Sequence, residues 1–153
     1  MMWLKKIHTI LFLLITYSCF SGNPEIHGNW KGFLISKNPD SDNKDGLPVT
    51  LYIIDDNDEG DLVGEMTVQY RYQTDIYKAK WSVSGSLDYT KYTISILQES
   101  FVFYDLLPKG LQWCSGNARL NIYRSTYKKK LYMDGIMYTN CGEEELRLVL
   151  VKE

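Results

Sequence analysis

From Gly28 onward, apolar and polar residues alternate along the chain with a period of two. This period is typical of strands with one buried face, and no stretch of ten or more residues has the 3.6-residue spacing of an amphipathic helix. Clusters of Gly, Asn, Asp and Pro interrupt the alternation where turns are expected. The sequence predicts an all-β domain of eight strands, at about residues 28–36, 48–55, 61–72, 77–87, 91–101, 117–125, 130–139 and 145–152.

The predicted sixth and seventh strands can be aligned by their apolar residues. When Ala118 faces Met137, the apolar side chains of both strands fall on one face of the hairpin. The same alignment, continued past the open end of the hairpin, brings Cys114 opposite Cys141. Because alternation and cysteine spacing agree, we predict a disulfide there.

Eight antiparallel strands joined in order can remove their exposed edges by closing into an up-and-down barrel, with a two-sheet sandwich as the alternative. Aligning Leu62 with Leu87 gives the third and fourth strands a common apolar face as well. The longest connections, 37–46 and 102–116, fall at the end opposite the termini. We therefore expect a single eight-stranded antiparallel barrel over residues 28–153, closed near the termini and open at the other end.

The N-terminal segment has the pattern of an export signal. Lys5 and Lys6 precede an apolar run over residues 10–15, which is too short to span a membrane as a helix, and small residues follow. We predict a signal peptide over residues 1–18 and a short tether over residues 19–27. The chain is therefore expected to be exported.

The cysteine count supports this prediction. If Cys114 and Cys141 pair, Cys19 is left over at the end of the signal. The stretch from Leu14 to Cys19 resembles the lipobox of bacterial lipoproteins, which implies that Cys19 is lipidated and anchors the protein to a membrane. Phe20 after the cysteine implies the outer membrane. The alternative is ordinary signal cleavage nearby, which removes Cys19 or leaves it free.

The start of the first strand carries a second resemblance. Gly28-Asn29-Trp30 resembles the Gly-x-Trp signature of the calycin superfamily, the lipocalins and their avidin-like relatives. The resemblance implies an eight-stranded barrel whose closed end is plugged by Trp30. It also implies that an arginine near the end of the barrel, here Arg147, stacks on that indole, a cation–π contact of about 1–2 kcal/mol when desolvated.

Several functional classes are disfavoured. The chain has 17 Lys and Arg against 19 Asp and Glu, and loss of Lys5 and Lys6 leaves the mature part at −4, which argues against nucleic-acid binding. Its one mature histidine, His27, has no nucleophile or metal-ligand pattern around it, so we expect neither an enzyme nor a cofactor. The acidic loops at 40–46 and 55–60 allow a calcium site, but the bidentate glutamate expected at position twelve is missing.

Aromatic residues are the more suggestive feature. Five of them are predicted to lie at or above the barrel mouth: Tyr70, Tyr72, Trp81, Phe103 and Trp113. We predict that they bind a small apolar or amphipathic ligand, although the same side chains could simply fill the barrel. The alternative function is an accessory subunit of an outer-membrane secretion or surface complex. Such a subunit would have a packed barrel and dock through the apolar segment 101–107.

Overall fold

The structure is a computed structural model that describes residues 25–37, 45–55, 59–142 and 145–153. All regular structure in these residues is β. The largest difference from the predicted bounds is in the fifth strand, which continues through residue 104 instead of ending at 101. The strands are β1 Gly28–Ser36, β2 Leu47–Asp55, β3 Asp61–Tyr72, β4 Asp75–Asp88, β5 Thr93–Tyr104, β6 Gly116–Arg124, β7 Leu131–Thr139 and β8 Glu145–Lys152.

The strands form one closed barrel in sequence order, with every neighbouring pair antiparallel. Closure is made by β1 and β8, which pair from Trp30 opposite Lys152 to Ser36 opposite Leu146. The up-and-down barrel is thereby confirmed and the sandwich is excluded. β1 begins and β8 ends at one end of the barrel, whereas β1, β3, β5 and β7 all end at the other.

The β6–β7 register is confirmed. Ala118 lies opposite Met137, as the apolar pattern predicts. The predicted disulfide is also present between Cys114 and Cys141, whose Cα atoms are 5.6 Å apart. It joins the segments that precede β6 and follow β7, beyond the last paired residues of that hairpin.

The predicted β3–β4 register is wrong by two residues. Leu62 lies opposite Gly85, not Leu87. A shift of two leaves every side chain on its original face, so the apolar pattern could not distinguish the two alignments. The turn decides between them, because β3 and β4 are joined by only two residues and the first of these, Gln73, adopts a φ of 54°.

The barrel interior is packed at its closed end. Trp30 is fully buried and donates a hydrogen bond from Nε1 to the carbonyl oxygen of Ile26, at 2.9 Å. Gly28, two residues earlier, has a φ of 110°, a conformation that side chains with a Cβ rarely adopt. Ile26, within the range predicted as a tether, is itself 2% exposed and packs in the core.

Two glycines in the strands mark close contact between backbones. A Cβ at Gly32 would lie 1.8 Å from the carbonyl oxygen of Val149, and one at Gly135 would lie 2.0 Å from that of Arg119. No side chain fits at such distances. These glycines therefore let neighbouring strands approach where the sheet curves, and they do not leave empty space in the barrel.

The expected stacking of Arg147 on Trp30 is wrong. Arg147 lies opposite Ile35 in the closing ladder, five positions along β8 from the residue that faces Trp30. Its side chain is outside the barrel and makes a bidentate ion pair with Asp134, including a 2.9 Å hydrogen bond from Nε to Oδ1. This pairing raises the pKa of Arg147. Arg147 alternates with the buried Leu148 and Leu150, so it lies on the outer face of β8, and the register at closure places it far along the strand from Trp30.

Some predictions fall on residues outside the described part. They are the signal peptide at 1–18, the lipidated Cys19, most of the tether and parts of both acidic loops. In the ranges that the structure does describe, no helix is long and apolar enough to cross a membrane.

The disulfide should contribute strongly to stability. Its cysteines are 27 residues apart, so replacing both with serine should lower the free energy of unfolding by about 3–4 kcal/mol. Urea denaturation of the oxidised protein, the reduced protein and the double variant measures the change. Reductant should destabilise only the wild type, and equal stability of all three would contradict the prediction.

Candidate functional site at the barrel mouth

Three strands continue past the rim of the barrel. The β2 ladder on β3 ends at Val68, and the β6 ladder on β5 ends at Leu97. β3 nevertheless continues to Tyr72 and β5 to Tyr104, each paired with β4. The three strands thus form an extension above the mouth, with a register shift in the β4–β5 ladder around Trp81.

Residues 105–115, which we call the mouth segment, connect this extension to β6. At its start, the backbone N–H of Lys78 donates to Asp105 Oδ2 at 2.7 Å, and Trp113 Nε1 donates to the Asp105 carbonyl oxygen at 2.8 Å. At its end, Trp81 Nε1 donates to Ser115 Oγ at 3.1 Å. Together with the disulfide at Cys114, these contacts hold the segment at both ends.

A cavity of about 370 Å³ lies between the mouth segment and the barrel interior. Its wall is mainly aliphatic and aromatic, with a few neutral polar side chains and the disulfide. Among the described residues, no Asp, Glu, Lys, Arg or His lines it. The lining residues are Leu34, Ser36, Leu47, Val68, Tyr70, Trp81, Gln98, Leu107, Leu111, Gln112, Trp113, Cys114, Met137, Thr139, Cys141, Gly142 and Leu146.

Gln98 marks the place where the cavity meets the packed core. It lines the cavity but is only 5% exposed, and its side-chain Nε2 donates to Met66 Sδ at 3.2 Å. A thioether is a weak acceptor. The Gln98 carbonyl oxygen is buried and has no hydrogen-bond partner in the described part of the chain. The amide of Gln98 is therefore poorly satisfied at both ends.

Three of the five predicted aromatic residues line the cavity. Trp81 and Trp113 meet edge to face with ring centroids 6.0 Å apart, and Tyr70 lies on the wall formed by β3. This arrangement gives the cavity flat apolar surfaces together with a phenolic hydroxyl.

The other two aromatic residues lie elsewhere. Tyr72 is 40% exposed at the tip of the extension, where it stacks on Tyr70. Phe103 is 43% exposed, and its ring centroid lies 5.9 Å from Lys80 Nζ on the outer surface. The ring therefore faces away from the cavity. The prediction placed Phe103 in a loop over the mouth. It is instead part of β5, opposite Lys80, and Phe101 is the residue that packs on Trp81, with ring centroids 4.9 Å apart.

Sequence reasoning missed Gln98 and, in the mouth segment, Leu111 and Gln112. A signal for Gln98 exists, because Ile94, Ile96 and Gln98 alternate on one face of β5 and the third is a polar residue at an inward position. No comparable signal exists for Leu111 and Gln112, because the mouth segment has no regular structure and hence no periodicity to follow.

Charged side chains near the mouth pair on the outer surface. Lys37 Nζ donates to a Glu145 carboxylate oxygen at 2.7 Å, and this hydrogen bond and the charge of Lys37 lower the pKa of Glu145. Lys80 Nζ also makes an ion pair with a Glu65 carboxylate oxygen, at 2.9 Å. The rim is therefore charged on its outer side, whereas the cavity behind it is neutral.

An apolar surface lies beside the mouth, over the end of β5 and the start of the mouth segment. Leu106 is 83% exposed, and Val102 and Tyr104 are each 53% exposed. The segment 101–107, predicted as a possible contact surface, is thus accessible to solvent.

Comparisons with protein-family models, with curated proteins and with solved structures found no match. Across the described residues, no three His, Cys, Asp or Glu side chains come together in a way that could hold a metal ion.

Proposed function

We propose that this protein binds a small apolar or amphipathic molecule in the cavity at the barrel mouth. The observation that carries the proposal is a preformed cavity of about 370 Å³ with an apolar, partly aromatic wall. Its volume lies within the range of small-molecule sites, about 300–1,000 Å³, and few polar groups line it, as is usual for such sites.

Electrostatics restricts the ligand further. A charged group placed among Trp81, Trp113 and Leu111 would lose its water without gaining a counter-charge, which is costly. The charges of the rim, such as the Lys37–Glu145 pair, already neutralise each other on the outside. The buried part of the ligand is therefore neutral, and any charged end extends through the mouth into solvent.

We also propose that the barrel is calycin-like and that the protein is an exported lipoprotein of the outer membrane. The Gly-x-Trp pattern and the burial of Trp30 at the closed end support the first part. The Cys114–Cys141 disulfide supports export, because such bonds persist in oxidising compartments. Lipidation rests on the lipobox-like sequence that ends at Cys19.

A second candidate function is docking to an outer-membrane protein partner as an accessory subunit. The exposed apolar segment 101–107 favours it, since large exposed apolar patches often mark interaction sites. The cavity at the mouth does not match the packed interior that this alternative predicts. Ligand binding therefore remains the first proposal.

Filling the cavity should abolish ligand binding. Val68 lines the cavity and Val63, on the same strand, is 42% exposed on the outer surface, so the two form a matched pair. With the neutral fluorescent probe N-phenyl-naphthylamine, Val68→Phe should weaken binding by more than about tenfold, or 1.4 kcal/mol. Val63→Phe should leave the Kd within about twofold. Equal affinity in both variants, or no binding by the wild type, would contradict the proposal.

Lipidation can be tested on the full chain in a bacterial host. Cells labelled with radioactive palmitate should incorporate label into the wild type and not into Cys19→Ala, because the acyl chains are attached to that sulfur. The wild type should also fractionate with the outer membrane. Label in both forms or in neither would refute lipidation at Cys19.

Docking predicts a contact at one end of the barrel. A photo-crosslinking residue at position 106 should give a discrete adduct with one membrane protein in intact cells, because Leu106 is the most exposed part of the apolar segment. The matched control is position 127, where Tyr127 is 91% exposed in the turn at the closed end. The same adducts from both positions, or none from position 106, would exclude docking through this segment.

A further inference from the structure

The cavity contains one polar group whose bonding is incomplete. Gln98 is 5% exposed, and its carbonyl oxygen is buried without a hydrogen-bond partner in the described ranges. Leaving a buried acceptor unpaired destabilises a folded protein substantially, so such a group requires an explanation. Its position on the cavity wall suggests one, since a bound molecule could provide the missing donor.

The surroundings of Gln98 define the donor that is needed. The other end of its amide donates to Met66 Sδ, which is fully buried and does not line the cavity. Val83, opposite Gln98 in the β4–β5 ladder, has no polar side-chain atom. Neither neighbour can donate to the carbonyl oxygen. The cavity, which Gln98 lines, is the place from which a bound molecule could supply a donor.

The carbonyl oxygen can be brought to the cavity at low cost. It is covered in the present conformation, but the terminal χ3 torsion of a glutamine has a broad energy profile. The bond given up or weakened on rotation is the one to the Met66 thioether, a poor acceptor. A modest rotation of the amide could thus exchange a weak contact for a full hydrogen bond to a ligand.

We propose that the ligand carries an uncharged hydrogen-bond donor, such as a hydroxyl or an amide N–H, which enters the cavity first and pairs with the side-chain carbonyl of Gln98. This inference rests on the proposed ligand-binding function and names the chemical class of the ligand. The donor is neutral because no charged side chain lines the cavity in the described part of the chain. The apolar remainder of the molecule packs between Trp81, Trp113 and Leu111 and extends toward the mouth.

The orientation distinguishes this site from one that takes an apolar tail first. In that alternative a carboxylate or other charged head group would remain in water at the rim, and a fatty acid would bind as well as a fatty alcohol. With the polar end inward, a carboxylate would be buried without a partner, and its affinity would fall. Charge at the head group therefore reports the direction of entry.

The test uses three linear probes measured by displacement of N-phenyl-naphthylamine. 1-Decanol has a neutral donor, methyl nonyl ether is its isomer without a donor, and decanoate has a charged head group without a donor at neutral pH. Wild-type protein should bind decanol at least about tenfold more tightly than decanoate. Equal binding of these two would overturn the inward orientation.

The role of Gln98 is isolated by comparing the same probes on a variant. Gln98→Met keeps the size of the side chain and removes the amide, so it should weaken decanol binding by about tenfold and change ether binding by less than about twofold. Because the effect is read as a change in the alcohol-to-ether ratio, differences in how water solvates the two probes cancel. The matched control is Gln69→Met, the same substitution at a glutamine of β3 that does not line the cavity, and it should leave the ratio unchanged.

The possible outcomes separate the two proposals. If both probes bind and Gln98→Met does not alter their ratio, the donor assignment is refuted while ligand binding stands; a glutamine satisfied by water alone would give this result. If none of the probes nor N-phenyl-naphthylamine binds, the proposed function fails and this inference with it.

Should Gln98→Met fail to fold, the wild type provides an independent measurement. The side-chain amide NMR signals of Gln98 should shift on addition of decanol and remain in place with methyl nonyl ether. Equal shifts with both probes would overturn the proposed hydrogen bond.

Discussion

The pairing of β1 with β8 is the constraint on which the rest of the structure depends. Once that ladder forms, each strand has a neighbour on both sides and the sheet has no long exposed edge within the barrel wall. Closure also fixes the interior volume, so inward side chains must share a limited space. Trp30 and Met133 occupy it at complete burial, and Gly32 and Gly135 let the curved strands approach each other.

The site arises where the barrel wall is uneven in height. β3, β4 and β5 continue past the rim, whereas the pairing of β2 with β3 stops at Val68 and that of β6 with β5 stops at Leu97. A chain leaving the raised side at Asp105 must cross the opening to reach β6, and the disulfide at Cys114 fixes the far end of its path. The cavity is thus the space between a packed core below and a fastened segment above. Its wall is formed by residues of several strands together with the mouth segment.

The sequence predicts the strands well because burial alternates along each of them. It predicts pairing only where a second constraint supplements the alternation. For β6 and β7 the cysteines supply that constraint and the register is correct. For β3 and β4 nothing distinguishes alignments that differ by two residues, and the turn at Gln73 lacks the Asn-Gly or Asp-Gly pattern that would have fixed it. The error in this hairpin concerns which residues lie opposite each other, and not the face of the sheet on which their side chains lie.

Alternation gives the face on which a strand residue lies but not where the strand ends or pairs, and this explains which site residues could be predicted. Tyr70 and Trp81 could be predicted as inward residues near the mouth because parity determines the face of a strand residue. Phe103 was misplaced because its role depended on where β5 ends, which alternation does not define. Arg147 was misplaced because a family resemblance supplied a contact whose geometry depends on register at closure. Long-range geometry is therefore the part that this sequence leaves undetermined.

The location of the disulfide connects the chemistry of the cavity to the environment of the protein. Both cysteines line the cavity, and Gln112 donates from Nε2 to Cys141 Sγ at 3.2 Å, so the bond is part of the wall as well as a fastening for the mouth segment. Reduction would replace it with two thiols and free the end of the segment that covers the opening. The cavity as described thus requires an oxidising compartment. Export, proposed from the N-terminal sequence, would supply the oxidising conditions in which this bond, and the cavity that it helps to form, persist.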